Sequence, residues 1–497
     1  MFENKILKIK ESDNVAVALV ELNKGEGIIV GNKKICLKDS IPLGHKFSIR
    51  EISKGEDVIK YGFSIGKSIK VIKIGEHVHM HNLISDLSMS KEYDYIRDTQ
   101  YMKDKNSDLM FKGYDRGNGK YGIRNELWII PTVGCGSSTA DKIAKVFKNT
   151  SDITNIDAIQ VIDHQFGCSQ YGEDLLTTKK ILRNIAVHPN AGGVLFLGLG
   201  CEFNKISDMK YLLKGYSSER IRFLIAQEVE DEIKEGVRIL KELHDLAKKD
   251  KREKIPISEL NIGLKCGGSD GFSGFTANPL LGAFSDFLIG QGGTTILTEV
   301  PEMFGAETIL MGRAKDKEVF LKIVRIINDF KAYLQKYGQP VYANPTPGNQ
   351  DGGITTLEEK SLGCVQKGGK APVVDLLDYT EIVRKKGLNL LNSPSNDLVA
   401  TTALGTAGSQ MVLFTTGRGT PYGSFIPTVK ISTNTALSKF KRNWIDFDAG
   451  RLLEGMPMEK LLDEFVNLVI AVASGEKVQN EKNDFREIAL WKIGATG

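Results

Sequence analysis

Apolar and polar residues alternate in short runs over the first part of the chain. Runs such as NVAVALVEL, HKFSIREI and IKVIKIGEHVHMH are rich in Val and Ile and are bounded by Gly, Asn, Lys or Asp. This pattern is typical of short β-strands joined by turns. It predicts a small β-rich domain over residues 1–90, followed by a polar linker over residues 91–112.

The pattern changes after residue 112, where apolar runs of strand length alternate with amphipathic helical runs. LWIIPTVGC, IDAIQVIDH and AGGVLFLGLGC have strand character, whereas TADKIAKVFKN and EDLLTTKKILRNIAVH have helical spacing. This alternation predicts an α/β domain over residues 113–250 with a mainly parallel sheet. The run LNIGLKC begins a second α/β domain over residues 251–497, and its long Gly-rich loops are expected to form the walls of a site.

Composition and charge exclude several classes of function. The chain has 497 residues, too many for one core, and 41% of them are hydrophobic, as in ordinary globular proteins. A formal net charge of +4 does not indicate a nucleic-acid or membrane partner, although it leaves room for a local basic pocket. MFENKILKIK lacks the apolar region of a signal peptide, and no apolar run reaches membrane-span length. We therefore expect a cytoplasmic protein whose six cysteines are thiols.

Four cysteines each follow a predicted strand: Cys135, Cys168, Cys201 and Cys266. Ligands of open α/β sheets bind beyond the carboxyl ends of the strands, so these thiols could converge there, and Cys364 in a long loop could join them. Converging thiolates would bind iron in a cluster, or zinc. The alternative is that the cysteines are small apolar residues packed at strand ends, since no C-x-x-C pair supplies a local ligand motif.

Three of the seven histidines lie close together in EHVHMHN, at His77, His79 and His81. In a strand, side chains two residues apart share one face, so these imidazoles could bind a divalent metal or act as a general base. Solvated histidines at a strand end are the alternative. His45, in LGHKF, belongs to the same predicted domain and could join them.

The Gly-rich loops contain candidate groups for an anionic, hydroxyl-rich ligand. CGGSDGFSG has neither the dinucleotide-binding nor the P-loop spacing, so a nucleotide cofactor is not indicated. Backbone N–H groups beside Ser269 and Asp270 suit a ligand with many hydroxyls. Arg418, between glycines in TTGRGTPYG, could hold a carboxylate through two hydrogen bonds, unless it is an ordinary surface arginine. Lys60, in VIKYG, is a further basic candidate.

Several long runs resemble the altronate/galactarate dehydratase family: GNGKYGIRNELWIIPTVGC, HQFGCSQYGEDLLTT, LKCGGSDGFSGFTANPLLG, PTPGNQDGGITTLEEKSLGC and TTGRGTPYG. The N-terminal runs IPLGHKF, VIKYGFSIG and GEHVHMHN are similar to the SAF-type β domain of that family. The resemblance extends over nearly the whole chain. It implies a hydro-lyase of hexuronate catabolism that converts D-altronate to 2-dehydro-3-deoxy-D-gluconate and water, with iron or another divalent ion.

Dehydration of a sugar acid removes the C2 proton and expels the C3 hydroxyl, which calls for a cation, a base and an acid. Under the resemblance, we assign the iron to an iron–sulfur cluster on four thiolates: Cys135, Cys168, Cys201 and Cys266. The competing assignment places a single Fe(II) or Mn(II) on His77 and His79 and leaves the thiols structural.

The acid and base roles are assigned to His45, His77 and His79, which implies that the β-rich domain covers the site. The assigned substrate-binding residues are Lys60, Ser269, Asp270 and Arg418, with Arg418 on the carboxylate. The nearest rival function is dehydration of galactarate or another hydroxyacid, since a diacid needs a second cationic clamp. A non-catalytic carbohydrate-binding protein is the other rival. Beyond the sugar acid, the partner left open is a second copy of the chain in a homo-oligomer.

Overall fold

The N-terminal region of the computed structural model is built from short strands. Residues 5–88, 92–97, 108–117, 119–216 and 219–497 of the chain are described. The N-terminal strands are β1 (Ile6–Leu7), β2 (Val15–Ala18), β3 (Gly27–Val30), β4 (Lys33–Cys36), β5 (Lys46–Ser48), β6 (Asp57–Lys60), β7 (Phe63–Ser68), β8 (His77–Val78) and β9 (Leu83–Ile84). They pair antiparallel in the orders β1-β2-β5-β8, β3-β4 and β6-β7-β9. The predicted β-rich domain is confirmed.

The middle region alternates strands with helices. Its strands are β10 (Met110–Asp115), β11 (Tyr121–Gly122), β12 (Glu126–Pro131), β13 (Ala158–Val161), β14 (Ala191–Gly198) and β15 (Ile221–Ile225). Its helices are α1 (Ser137–Thr150), α2 (Gly172–Ala186), α3 (Ile206–Leu212) and α4 (Glu232–Ala247). A parallel sheet with the order β13-β12-β14-β15, which we call the middle sheet, has apolar side chains on both faces. Leu127 packs under α1 and α4, and Trp128 faces the C-terminal region.

The C-terminal region is a second α/β unit around a larger parallel sheet. Its strands are β16 (Glu253–Pro256), β17 (Asn261–Cys266), β18 (Thr294–Leu297), β19 (Val373–Leu377), β20 (Gly387–Leu391), β21 (Met411–Thr416), β22 (Thr428–Ser432) and β23 (Phe447–Asp448). Its helices are α5 (Ala277–Gly290), α6 (Glu307–Gly312), α7 (Lys317–Lys336), α8 (Pro347–Asp351), α9 (Leu357–Cys364), α10 (Asp397–Thr406), α11 (Thr435–Phe440), α12 (Met458–Ala473) and α13 (Gln479–Lys482). The predicted fold class, a β-rich domain followed by two α/β units with parallel sheets, is confirmed.

The strand order of the C-terminal sheet identifies where a ligand is expected. The order is β19-β20-β18-β17-β21-β22-β23, parallel throughout. The chain leaves β17 towards β18 and later returns to the other side of β17 at β21, so the order reverses between β17 and β21. Ligands of open α/β sheets bind at such a reversal, beyond the carboxyl ends of the strands. The Gly-rich loops after Cys266 and after Thr416 start at this position.

The connection between the N-terminal and middle regions is described only in part. Half of the predicted linker over residues 91–112 lies outside the described residues. Its last residues belong to β10, which pairs antiparallel with β16, with Met110 opposite Pro256. The charged run KKDKREKIP, where the two predicted α/β domains meet, therefore ends in a strand. No helix in the described part of the chain has both the length and the apolar character needed to cross a bilayer.

One segment predicted as part of a long loop is helical, so that prediction was wrong. Residues 357–364 form α9, which ends at Cys364. The Thr356 side chain accepts a hydrogen bond from the backbone N–H of Glu359 at 3.3 Å and caps the helix. Thr or Ser followed three residues later by Glu is the sequence signature of such a start. The helix places Cys364 in the protein interior, where it is 5% exposed.

Candidate active site

The carboxyl end of β17 brings Cys266 into a buried group with Glu302 and Cys364, which we call the buried thiol group. The two sulfur atoms are 3.3 Å apart, and Cys364 Sγ lies 3.1 Å from Glu302 Oε2. One ligand atom from each of the three residues lies within 4.8 Å of the other two. Glu302 comes from a 3-10 turn, Val300–Met303, that follows β18. Three separate elements thus meet at one point beyond the sheet.

Charged side chains surround the buried thiol group and balance one another. Lys367 Nζ donates to Cys266 Sγ at 2.8 Å, and Lys360 Nζ lies 2.9 Å from Glu302 Oε1. A divalent ion that replaced the two thiol protons would leave the charge balance unchanged. The three ammonium groups and three carboxylates around the sulfurs are Lys265, Lys360, Lys367, Glu299, Glu302 and Asp397.

The protonation states of the group suit metal binding. Burial by itself would raise the pKa of Glu302, but Lys360, Lys265 and Lys367 lower it to about 2, so the carboxylate is charged. The hydrogen bond with Cys266, and then burial, raise the pKa of Cys364 well above its ordinary value. The Cys364 thiol is therefore protonated until a metal displaces the proton.

The donor atoms and their spacing fit a single metal ion. Two sulfurs and one carboxylate oxygen suit a borderline metal such as Fe(II) or Zn(II). Thiolates that share one tetrahedral ion, with bonds of about 2.3 Å, lie about 3.8 Å apart, close to the observed 3.3 Å. Glu299, just before the 3-10 turn, has a left-handed backbone with φ 75°, which costs a non-glycine residue about 1 kcal/mol. Strain of this kind is concentrated at functional sites.

The N-terminal domain contributes a cluster of histidines that contacts the segment between α8 and α9. His45 Nδ1 is 3.0 Å from His77 Nε2, and His45 Nε2 is 3.1 Å from the Asp351 carbonyl oxygen. His79 Nδ1 hydrogen-bonds the Thr355 hydroxyl at 2.8 Å. The ring centres of these histidines lie 5.0 to 5.5 Å apart. The three candidate histidines are thus brought together, although only His77 lies in a strand, the two-residue β8.

The histidine rings are held neutral. Burial is the largest cause that lowers the pKa of His77 to about 3 and that of His79 to about 4, with the neighbouring positive groups adding to it. Burial also lowers the pKa of His45. The exposed ring of His81 lies 5.5 Å from that of His77. Neutral imidazoles can accept a proton at pH 7.

A buried ion triad fastens the N-terminal domain to α9. Lys60 Nζ lies 2.7 Å from Glu359 Oε1 and Lys46 Nζ lies 2.8 Å from Glu359 Oε2, with all three side chains 1% exposed. Burial lowers the pKa of Lys46 to about 8. Burial alone would raise the pKa of Glu359, but the two lysines lower it to about 2. Lys46 also donates to the Thr355 hydroxyl at 2.6 Å, so hydrogen bonds connect the triad to His79.

A cavity of about 10 Å³, room for about one water molecule, lies between the N-terminal domain and the Gly-rich loop after β17. Tyr61 and Ser269 line it, together with Cys364 of the buried thiol group and Lys360, which pairs with Glu302 of that group. The Ser269 hydroxyl oxygen is buried and has no hydrogen-bond partner in the described part of the chain. The cavity therefore offers an unused hydroxyl beside a candidate metal site.

Asp270 and Arg418, two candidate substrate-binding residues, differ in whether their charged groups already have partners within the protein. The Asp270 carboxylate accepts hydrogen bonds from Thr433, at 2.8 and 2.9 Å, from Ser273 at 3.0 Å and from Asn434 at 3.1 Å. Burial raises its pKa. Arg418 is exposed, and its guanidinium makes no ion pair with the described residues. Asp270 thus holds loops together, whereas Arg418 is open to a ligand.

The structure divides the four candidate cysteine ligands between two places. Cys266 is buried with Cys364, whereas Cys135, Cys168 and Cys201 are exposed at the carboxyl edge of the middle sheet. Sequence reasoning missed most of the buried charged groups, namely Lys46, Glu299, Glu302, Glu359, Lys360 and Lys367. Of the runs that carry the family resemblance, IPLGHKF contains Lys46 and PTPGNQDGGITTLEEKSLGC contains Glu359 and Lys360, and the helix-cap signature in the second was available.

The three regions match three family descriptions in chain order. Residues 4–86 match the altronate/galactarate dehydratase SAF domain, and residues 113–248 match the second domain of D-galactarate dehydratase/altronate hydrolase. Residues 257–496 match the C-terminal domain of D-galactarate/altronate dehydratase. The chain belongs to the altronate/galactarate dehydratase family, whose members are hydro-lyases.

Sequence identities with individual relatives show which dehydratases of the family this chain resembles more. Altronate dehydratase of Bacillus subtilis (strain 168) is 55% identical over 492 residues, and that of Escherichia coli (strain K12) is 50% identical over 491 residues. Each alignment covers 99% of both chains. Galactarate dehydratase (L-threo-forming) of Escherichia coli (strain K12) is 30% identical, over 95% of this chain and 93% of its own. The chain is thus more similar to these altronate dehydratases than to this galactarate dehydratase.

Proposed function

We propose that this chain dehydrates D-altronate to 2-dehydro-3-deoxy-D-gluconate. The observation that carries the proposal is the junction of the N-terminal and C-terminal domains. There one cavity borders the buried thiol group and is linked through Glu359, Lys46 and Thr355 to neutral histidines. The full-length similarity to altronate dehydratases supports this substrate over galactarate.

Cys266, Glu302 and Cys364 would hold the metal, which we assign as Fe(II), with Mn(II) as the alternative. Such an ion supplies Lewis-acid stabilisation of negative charge on substrate oxygens. Soft thiolate ligands favour iron over manganese, which prefers oxygen ligands. This assignment replaces the cluster on four thiolates that includes Cys266, because Cys266 pairs with Cys364.

The histidines of the N-terminal domain are assigned to proton transfer. Because His79 Nδ1 is occupied by the Thr355 hydroxyl, its Nε2 is the atom available to accept the C2 proton. His77 Nε2 is hydrogen-bonded to His45 Nδ1, so a proton can pass between these two rings. Lys46, which donates to Thr355, fixes the hydroxyl that orients His79. This arrangement supplies a base held in one orientation.

We assign the substrate-binding groups to the two Gly-rich loops, which carry Ser269 and Arg418. Arg418 would bind the carboxylate through two hydrogen bonds, and the unpaired Ser269 hydroxyl would bind a substrate hydroxyl. In this assignment Lys60 and Asp270 do not contact the substrate. Lys60 neutralises the charge of Glu359, and Asp270 accepts a hydrogen bond from Thr433 that holds the Gly-rich loop in place. We therefore assign them to support of the site.

The test compares D-altronate with galactarate on the same anaerobic, iron-loaded preparation, with 2-keto acid formation as the readout. We expect kcat/KM to be higher for D-altronate by at least about tenfold, a difference of roughly 1.4 kcal/mol in transition-state binding. A preference for galactarate would replace the proposed substrate. Binding of D-altronate without turnover of either acid would favour a carbohydrate-binding protein.

A further inference from the structure

We propose that Cys135, Cys168 and Cys201 form a second metal site, separate from the buried thiol group, that holds an iron–sulfur cluster. We call these three residues the exposed thiol set. They follow β12, β13 and β14, and β12 lies between the other two strands in the middle sheet. Because all three strands are parallel, their carboxyl ends lie at the same edge. The inference does not depend on the dehydratase activity.

Backbone hydrogen bonds tie the three cysteine-bearing loops together. Gly134 N–H donates to the Phe166 carbonyl at 2.9 Å, one and two residues from Cys135 and Cys168. Phe203 and Asn204 N–H donate to the Gly167 carbonyl at 3.2 and 3.3 Å, which joins the Cys201 loop to the Cys168 loop. A Cβ at Gly167 would lie 2.1 Å from the Thr132 carbonyl oxygen, so the approach of these loops requires glycine. The loops are held in place without any metal.

The exposure of these thiols contrasts with their rigid surroundings. Thr132 and Asn204, which join the loops through a 2.9 Å hydrogen bond, are fully buried, yet all three thiols are exposed. Free cysteines are ordinarily among the most buried residues. Packing therefore does not account for three exposed thiols on one edge, whereas ligation does.

Their spacing argues against a single ion bound by all three sulfurs. The sulfurs of the exposed thiol set do not all lie within 4.8 Å of one another, whereas the ligand atoms of the buried thiol group do. Thiolates on one tetrahedral ion lie about 3.8 Å apart, for bonds of about 2.3 Å. In a four-iron cluster each thiolate binds a different iron, so its thiolates lie further apart than those on a single ion.

The electrostatics of the edge favour an anionic group. Cys135 lies in a 3-10 turn, Gly134–Gly136, that leads directly into α1, and no side chain caps the first turn of that helix. The N–H groups of a helix start favour negative charge. The Ser137 hydroxyl oxygen is also buried without a hydrogen-bond partner in the described part of the chain, and it could donate to a cluster sulfur. Three thiolates leave one iron of a four-iron cluster open to an exchangeable ligand.

The test uses the full-length chain purified without oxygen, with iron, acid-labile sulfide and visible absorption measured on each sample. We expect roughly one sulfide per cluster iron in the unaltered protein. Each of Cys135→Ser, Cys168→Ser and Cys201→Ser should lose most of the sulfide and the cluster absorption. Cys36→Ser, at an exposed cysteine of the N-terminal domain, should change neither, and Cys364→Ser should keep the sulfide.

Alkylation of the unaltered protein gives a readout that needs no variant. Iodoacetamide followed by peptide mapping should label Cys36 at once, but should label the exposed thiol set only after the cluster is stripped with a chelator. Iron without sulfide, sulfide that survives all three substitutions, or equal labelling of Cys36 and the set before chelation would each overturn the proposal. Circular dichroism of the variants separates cluster loss from misfolding.

Discussion

The two parallel sheets present cysteines in different surroundings, although the strand order reverses in both. In the C-terminal sheet the strand order reverses between β17 and β21, and in the middle sheet it reverses between β12 and β14. Each reversal has a cysteine at or just beyond a strand end. At the C-terminal edge Cys266 is 1% exposed, whereas at the middle edge Cys135 and Cys201 are exposed. We call these the covered edge and the open edge.

The cysteines differ in exposure because the N-terminal domain and α9 cover the strand ends of the C-terminal sheet. At the covered edge the Gly44 backbone approaches the Gly-rich loop so closely that a Cβ at Gly271 would lie 2.0 Å from the Gly44 carbonyl oxygen. The covering elements bring Lys46, Lys60 and Glu359 into the interior together. One topology can therefore produce a dry, charged site or an accessible one, depending on what packs over the strand ends. In the covered site electrostatic interactions are stronger because water is excluded.

The largest expected effect comes from a ligand at the covered edge. Glu302→Gln should lower kcat by about 10³-fold, because the metal loses its charged oxygen ligand. Metal analysis of the same sample should show loss of bound divalent ion, while the acid-labile sulfide of the open edge stays unchanged. Glu318→Gln, on an exposed turn of α7, is the matched control. Unchanged metal and turnover in Glu302→Gln would remove the buried thiol group from catalysis.

The next effect is on stability. Glu359→Gln leaves two buried ammonium groups without their carboxylate and should lower the free energy of unfolding by about 3 kcal/mol. Scanning calorimetry should show the loss in the transition that includes the N-terminal domain. Glu11→Gln removes the partner of an exposed ion pair with Lys8 and should change stability by less than about 0.5 kcal/mol. Equal effects would mean that the triad does not hold the cover in place.

Removal of the base should have a somewhat smaller effect on rate. His79→Gln should lower kcat by about 10²-fold without changing the metal content, since the ring acts as a general base. His81→Gln, at the exposed end of the same cluster, should retain turnover. Loss of metal from His79→Gln would instead support the competing assignment of the ion to His77 and His79.

The rim of the covered edge should show a binding effect. Arg418→Ala should raise KM by about tenfold with little change in kcat, because a carboxylate contact that is the same in the ground and transition states is lost. Steady-state kinetics with D-altronate measure both constants. Arg384→Ala, at another exposed arginine, should alter neither. A fall in kcat at unchanged KM would give Arg418 a different role.

Acid should destabilise the covered edge through its buried histidines. An unfolded histidine takes up a proton near pH 6.5, whereas His77 and His79 keep pKa values of about 3 and about 4 in the folded protein. The unfolded chain therefore binds more protons, and stability falls as the pH drops below about 6.5. At pH 5.5 each histidine should cost about 1 kcal/mol. His77→Gln should flatten the melting temperature between pH 7 and 5.5, and an unchanged slope would contradict the assignment.

Local patterns predicted the secondary structure well where one face or one run is apolar. LNIGLKC was predicted as a strand and forms one over Asn261–Cys266, and TADKIAKVFKN lies within the observed helix Ser137–Thr150. Strand ends could therefore be located, and with them the cysteines. The segment before Cys364 was predicted as part of a long Gly-rich loop, although Thr356 and Glu359 form a helix-capping signal.

The candidate site was less predictable, because its contacts join distant parts of the chain. Lys46 meets Glu359 across 313 positions, and Cys266 meets Cys364 across 98. The sequence alone does not distinguish a lysine that becomes buried from one that stays in solvent. Its partner becomes known only when the N-terminal domain is in place.

The sequence by itself determined the order of strands and helices, the three regions, and the placement of thiols at strand ends, because these depend on short-range periodicity and on parallel topology. Only the tertiary structure decided that Cys266 pairs with Cys364 and Glu302 while three other thiols stay exposed. It also decided that Lys60 forms a buried ion pair with Glu359. The physical reason is that burial and charge pairing are properties of surfaces in contact, and those surfaces come from segments far apart in the chain.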